Sequence, residues 1–133
     1  MHENRTVYRV PYADVDQMGV VYYARYLEYF ERGRNELLRQ CNLPYLELER
    51  TGVMLPVIEA HCEYLKPARY DDEVVIIARV TAVQGIRIQM TCEIMRGETL
   101  LARGYTWHVS TTVQGKPCRL PAAVTALFQE PAG

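Results

Sequence analysis

Between residues 5 and 12 polar and apolar side chains alternate, with Thr6, Tyr8, Val10 and Tyr12 on one face and Arg5, Val7 and Arg9 on the other. A period of two predicts a strand, and Pro11 near its end predicts an edge position, because proline cannot donate to a ladder. The period then lengthens. From about Tyr22 to Cys41, the residues Tyr22, Tyr26, Tyr29, Phe30, Gly33, Leu37 and Leu38 fall on one helical stripe, while Glu28, Arg32, Glu36 and Arg39 lie off it. This spacing predicts a long amphipathic helix with Glu28 and Arg32 as a favourable i,i+4 pair. Glycine weakens a helix interior by about 1 kcal/mol relative to alanine, so Gly33 on the apolar stripe predicts that another backbone crosses closely there.

Pro44 to Arg50 reads as a short second helix ended by Thr51-Gly52. Four strands are predicted after it. Residues 57–65 alternate as a half-buried strand, with Ile58, Ala60, Cys62 and Tyr64 against Glu59, His61 and Glu63. Residues 73–83 are more uniformly apolar, as in an interior strand, and residues 86–94 alternate again. The last strand runs from about Thr99 to Thr112, with Leu101, Tyr105, Trp107 and Val109 on one side. Gln84-Gly85 and Arg96-Gly97 are hairpin punctuation, which makes the meander antiparallel. Residues 121–128 read as a helical turn or two. The fold class is α+β: a strand, a long helix, then a four-strand meander able to wrap it.

With 133 residues the chain fits one domain, residues 1–133, that buries about two thirds of its extended surface. A formal charge of −1 gives no general attraction to nucleic acid or to an anionic membrane. Lys66 and Lys116 are the only lysines, and the remaining basic residues are arginines suited to local phosphate contacts. The start, Met-His-Glu-Asn-Arg-Thr, lacks the apolar stretch of a signal peptide, and no run reaches the roughly 20 apolar residues that span a bilayer. A cytoplasmic location is expected. Cys41, Cys62, Cys92 and Cys118 are dispersed with no Cys-x-x-Cys pair and read as reduced thiols, with Cys62 and Cys92 on apolar strand faces.

Chemistry concentrates in residues 12–23, Tyr-Ala-Asp-Val-Asp-Gln-Met-Gly-Val-Val-Tyr-Tyr, where two acids lead through Gly19 into the long helix. The first turn of a helix leaves N–H groups unpaired, and the aligned peptide dipoles add roughly half a positive charge. An acid in the preceding loop can therefore attack, or activate water, where amides already solvate a developing oxyanion. The plainer use of Asp16, capping the helix or ordering a turn, remains open on the residues alone. Asp14 reads as ordering the loop, and Asp71-Asp72 as a turn that starts a strand. Asp-x-Asp also opens phosphatases that hold magnesium, but those need a parallel sheet and further motifs. His61 and His108 are too isolated for a zinc site, which takes three or four convergent ligands.

Residues 12–26 together with Tyr-Phe-Glu-Arg-Gly-Arg at 29–34 resemble the 4-hydroxybenzoyl-CoA thioesterase family of hotdog-fold proteins. The nearest branch is that of the short acyl-CoA thioesterases associated with the Tol-Pal system. Lys66-Pro67-Ala68-Arg69-Tyr70-Asp71-Asp72 and Pro117-Cys118-Arg119-Leu120-Pro121 extend the similarity over nearly the whole chain. The resemblance implies a hotdog fold, an antiparallel five-stranded sheet wrapped around one long central helix. It also implies pairing into homodimers that assemble to homotetramers, with the active site at the dimer seam.

Carried over residue by residue, the resemblance makes Asp16 the catalytic carboxylate, the Tyr23 backbone N–H the donor to the thioester carbonyl, and Tyr12 a tyrosine near the site. That branch commonly has a histidine where this chain has Tyr23. Gly19, Val20, Val21 and Tyr22 are expected to touch substrate, and Lys66, Arg69 and Arg87 to meet the phosphates of coenzyme A. The implied reaction is hydrolysis of an acyl-CoA or acyl-carrier-protein thioester, with no cofactor beyond the coenzyme A of the substrate. Asp16 acts either as nucleophile or as general base, and the sequence does not choose. A second reading is a hotdog module that binds acyl-CoA or scaffolds a complex without hydrolysis.

Overall fold

The computed structural model describes residues 2–128. Strand β1 (Glu3–Arg9) leads through a 3-10 turn at Tyr12–Asp14 to helix α1 (Arg25–Gln40), followed by the short helix α2 (Tyr45–Arg50). Then come β2 (Val53–Met54), β3 (Val57–Tyr64), β4 (Glu73–Gln84), β5 (Arg87–Arg96), β6 (Thr99–Val109), β7 (Thr111–Thr112) and the terminal turn α3 (Ala122–Thr125). Five strands form one antiparallel sheet in the order β1-β4-β5-β6-β3, and β2 pairs with β7 in a separate ribbon. The α+β architecture expected from the pattern is present, and the five-stranded antiparallel sheet about one long helix is the hotdog fold that the resemblance implied. The ribbon was not foreseen: the last predicted strand breaks at Ser110, and its end pairs with residues after α2 instead.

Helix α1 lies mainly over β4 and β1. Its buried stripe is Tyr26, Tyr29, Phe30, Gly33, Leu37 and Leu38, as the spacing predicted from Tyr26 onward. The approach at Gly33 is confirmed, but the partner is a side chain: a Cβ at 33 would meet Ile76 Cγ2 at 2.7 Å and Ala78 Cβ at 3.3 Å. Strand β4 is interior, with β1 and β5 on either side, and buries Val74, Ile76, Ala78 and Val80 against the helix layer. Cys92 is buried as expected, whereas Cys62 is only half-buried.

Two boundaries moved for tertiary reasons. The helix was expected from Tyr22 but begins at Arg25, because Val20 bridges Arg69, the Val21 N–H donates to the Ala68 carbonyl, and the Tyr22 N–H to the Asp14 carbonyl. These long-range bonds hold the chain extended through residue 22, so Tyr22 is exposed rather than part of the core stripe. The first strand ends at Arg9 rather than Tyr12, where the chain turns at Pro11. Strand β3 is the second edge of the sheet and, instead of being half-buried, exposes Val57, Ile58 and Tyr64 in the single chain.

His108 on β6 is 3% exposed, with Nδ1 2.9 Å from the Leu55 carbonyl oxygen and Nε2 2.8 Å from Thr106 Oγ1. Burial holds its pKa down at about 4, from an ordinary 6.5. Between those values the unfolded chain binds the proton more readily than the folded one, so stability falls as pH drops through that window. The variant His108→Gln is expected to recover up to about 3 kcal/mol of that acid loss. Urea titrations at several pH values between 6.5 and 4 should show a shallower decline than in the wild type.

Candidate active site

The two acids of the loop have different surroundings. Asp14 is buried, and its Oδ2 accepts hydrogen bonds from the hydroxyls of Tyr29 at 2.7 Å and Tyr8 at 3.5 Å. Arg25 Nε lies 3.7 Å from its Oδ1. Burial, reinforced by the bond to Asp14, raises the pKa of Tyr29, so its hydroxyl remains a donor. Asp14 thus fastens the loop to β1 and α1, the ordering role expected of it.

Asp16 opens a tight turn. The Gly19 N–H donates to its carbonyl at 3.0 Å, the Met18 N–H to its Oδ1 at 2.8 Å, and its own N–H to the Val20 carbonyl at 2.9 Å. Gly19 closes this turn at φ +79°, a conformation that side chains disfavour. Oδ1 therefore orders the turn, which is the plainer of the two uses foreseen. Oδ2 of Asp16 has no partner among the described residues.

Beside this turn the chain enters α1. Tyr22 donates its N–H to Asp14, and Arg25 and Tyr26 donate theirs to the carbonyls of Tyr22 and Tyr23. The N–H groups of Tyr23 and Ala24 meet no acceptor among the described residues. Ala24 occupies the cap position and has no side chain to satisfy them. The Tyr23 carbonyl, in contrast, accepts a 3.0 Å hydrogen bond from the hydroxyl of Tyr64 at the end of β3.

An open cleft of about 260 Å³ lies between this helix entrance and the end of β3. It brings together Val20, Val21, Tyr23 and Lys66 from the expected set, and adds Tyr26, Tyr64 and Leu65. Asp16 does not line it in the single chain but is bonded to Val20, which does. Arg69 stands next to the cleft through its backbone bridge to Val20, its own N–H held by Asp72.

Gly19, Tyr12, Tyr22 and Arg87 of the expected set do not line this cleft, Gly19 being held in the Asp16 turn. Tyr12 is exposed, its ring edge-on to Tyr70 with centroids 5.5 Å apart. Tyr22 is exposed beside Tyr23, at 4.8 Å between rings. Arg87, its guanidinium over Trp107, starts β5 at the end of the sheet opposite Tyr64, because the register sets Arg87 against Val109 and Tyr64 against Ala102. The Ala24 amide is a neighbouring helix-start amide of the kind expected beside that of Tyr23, whereas Tyr64 was missed. An aromatic residue with a polar tip at a strand end was the available signal for Tyr64.

The model of the thioesterase-like superfamily matches residues 10–128. The chain belongs to that superfamily. It is 34% identical over 133 residues to the acyl-CoA thioester hydrolase YbgC of Escherichia coli O6:H1, covering 96% of this chain and 99% of that protein. It is 34% identical to the putative acyl-CoA thioesterase YneP of Bacillus subtilis over a shorter stretch of 87 residues, 65% of this chain and 63% of the relative. A crystal structure of a probable thioesterase from Bartonella henselae superimposes with a TM-score of 0.85 at 35% identity, covering 90% of this chain and 99% of that one. Family and relatives agree on thioester chemistry, and this chain is a thioesterase with a hotdog fold. Its helices, among the described residues, include none long and apolar enough to cross a membrane.

Proposed function

We propose that this thioesterase hydrolyses acyl-CoA thioesters, with a short aliphatic or benzoyl-type acyl group, to a carboxylate and free CoA in the cytoplasm. The observation that carries the reading is the pair of unpaired N–H groups, Tyr23 and Ala24, at the entrance to α1, reached through a turn whose Asp16 carboxylate keeps one uncommitted oxygen among the described residues. In the proposed reaction the thioester carbonyl oxygen points at these amides. Asp16 Oδ2 either attacks the carbonyl carbon, expelling CoA thiolate and leaving a mixed anhydride for water to cleave, or takes the proton from an attacking water. Each amide donor to the oxyanion contributes on the order of 3 kcal/mol of transition-state stabilisation. This chemistry needs no metal or redox group. Sequence similarity to the YbgC proteins, named acyl-CoA thioester hydrolase and acyl-CoA thioesterase, supports the substrate class.

Lys66 and Arg69 are proposed to meet the CoA phosphates, since both are exposed at or beside the cleft and form no ion pair among the described residues. Tyr22 and Tyr12 are proposed as outer contacts of the substrate. The edge strand β3 supports a homodimer as the working unit, itself assembling to a homotetramer. A second copy laid antiparallel along β3 would pair its free backbone groups and cover Val57, Ile58 and Tyr64. In such a pair the sheet end carrying Arg87 lies on the same side as the other copy's cleft, which is how Arg87 would contribute.

Thiol release from a panel of aliphatic, benzoyl-type and carrier-protein thioesters tests the proposal. Turnover of at least one acyl-CoA at kcat/KM above about 10⁴ M⁻¹ s⁻¹, an ordinary enzyme value, is expected. Binding of CoA thioesters without thiol release would instead establish the carrier or scaffold reading.

A further inference from the structure

A second cavity, of about 250 Å³, lies further along α1, between that helix, α2 and residues 55–57. Arg34 is its unusual feature. It stands one turn from Phe30 and one turn from Leu38, both buried, so its stem occupies the core side of the helix. Burial lowers its pKa, yet among the described residues no carboxylate lies within 4 Å and none of its five donors has an acceptor. Arg34 is half-buried and its nitrogens keep contact with solvent, so its guanidinium stands at the cavity ready to pair with something that brings acceptors there.

The rest of the lining narrows what that something is. Asn35 also reaches the cavity with its amide unpaired among the described residues. His108 has both ring nitrogens occupied and can offer nothing. Glu31, one turn before Arg34, is exposed at the rim and makes no ion pair with it. The rest of the wall is apolar, with Leu38, Leu55 and Met90 all buried, apart from the hydroxyl of Tyr45, which accepts from the Leu55 N–H at 3.4 Å. The cavity is smaller than the roughly 300–1,000 Å³ of pockets that enclose drug-sized ligands, so its occupant is small.

We propose that this cavity binds a carboxylate on a small apolar body, with Arg34 forked onto its two oxygens, the Asn35 amide donating to one, and the body resting on Leu38, Leu55 and Met90. Planar, two-point recognition of carboxylate is what a guanidinium does best. The carboxylate has two possible sources, the distal end of a substrate's acyl group or a free organic acid. Only the first rests on the proposed function.

The probe is sodium benzoate, titrated into the wild type, Arg34→Gln and Arg34→Lys, with binding followed by calorimetry and by the NMR signals of the Arg34 Nε–H and Asn35 amide. Saturable binding that moves both signals is expected. Affinity should fall at least tenfold in Arg34→Gln and by an intermediate factor in Arg34→Lys, which keeps the charge but not the fork. Asp16→Asn should bind benzoate as the wild type does, so a failure of the hydrolytic reading would leave this result standing. Equal affinity in all three Arg34 proteins, or no binding by the wild type, overturns the proposal. Should Arg34→Gln fail to fold, Arg34→Lys and the wild-type NMR shifts decide. With the site established, the ratio of kcat/KM for glutaryl-CoA to that for butyryl-CoA identifies the source. A tenfold fall of this ratio in Arg34→Lys places the carboxylate on the acyl group, and an unchanged ratio assigns the site to a free acid.

Discussion

Asp16→Asn is expected to lower kcat/KM for acyl-CoA hydrolysis by about 10²–10⁴-fold while shifting the thermal midpoint by no more than a few degrees. The separation of the two effects follows from what each carboxylate oxygen does. Oδ1 accepts from the Met18 N–H and shapes the turn, and the oxygen of an asparagine amide can accept the same bond. Oδ2 carries the chemistry in the proposed reaction, and an amide nitrogen there can neither attack nor take a proton. Asp14→Asn is the contrasting variant. Its carboxylate accepts from the Tyr29 hydroxyl inside the fold, and an amide there is expected to destabilise the protein by about 1–3 kcal/mol. Thiol-release kinetics and thermal unfolding on both variants check the pair. An Asp16→Asn enzyme keeping more than a tenth of wild-type turnover would remove Asp16 from the chemistry, and a larger activity loss in stable Asp14→Asn would exchange the roles.

That contrast shows what the sequence could and could not convey about the site. The motif marked the loop and the helix entrance, and the helical stripe from Tyr26 to Leu38 is local information that survives folding unchanged. The extra turn assigned to α1 was lost because Val20 pairs with Arg69, 49 positions away, and no periodicity within a short window contains that pairing. The same limit explains the β2–β7 ribbon, in which Val53 and Met54 find Thr112 and Thr111. Strand β3 carries the alternation of a half-buried strand, yet both faces are open because α1 lies over β4 and β1 and hardly reaches β3. Its apolar residues read as a core pattern that this chain alone does not complete. Arg87 was placed near the substrate by resemblance, whereas register sends it to the far end of the sheet. Local pattern thus fixed which residues share a face, and long-range pairing decided which faces meet.

Gly104→Ala is expected to destabilise the protein by about 3 kcal/mol or more, although the change adds a single methyl group to the middle of a strand. Gly104 is buried on β6, paired with Cys62 on one side and Cys92 on the other. A Cβ at this position would overlap the carbonyl oxygen of His61 and stand 2.9 Å from Cε2 of Phe30. Backbone on one side and a fully buried ring on the other leave no flexible side-chain end to move aside, so β3 must separate from β6 or Phe30 must shift within the core. Separation of β3 would also carry away Tyr64, whose hydroxyl holds the Tyr23 carbonyl, and with it one wall of the cleft. The variant is therefore expected to lose activity together with stability, unlike Asp16→Asn. Urea unfolding measures the first effect and amide hydrogen exchange along residues 57–64 localises it. A Gly104→Ala protein with wild-type stability and protected β3 amides would show that the close contact between β6 and β3 is not maintained in solution.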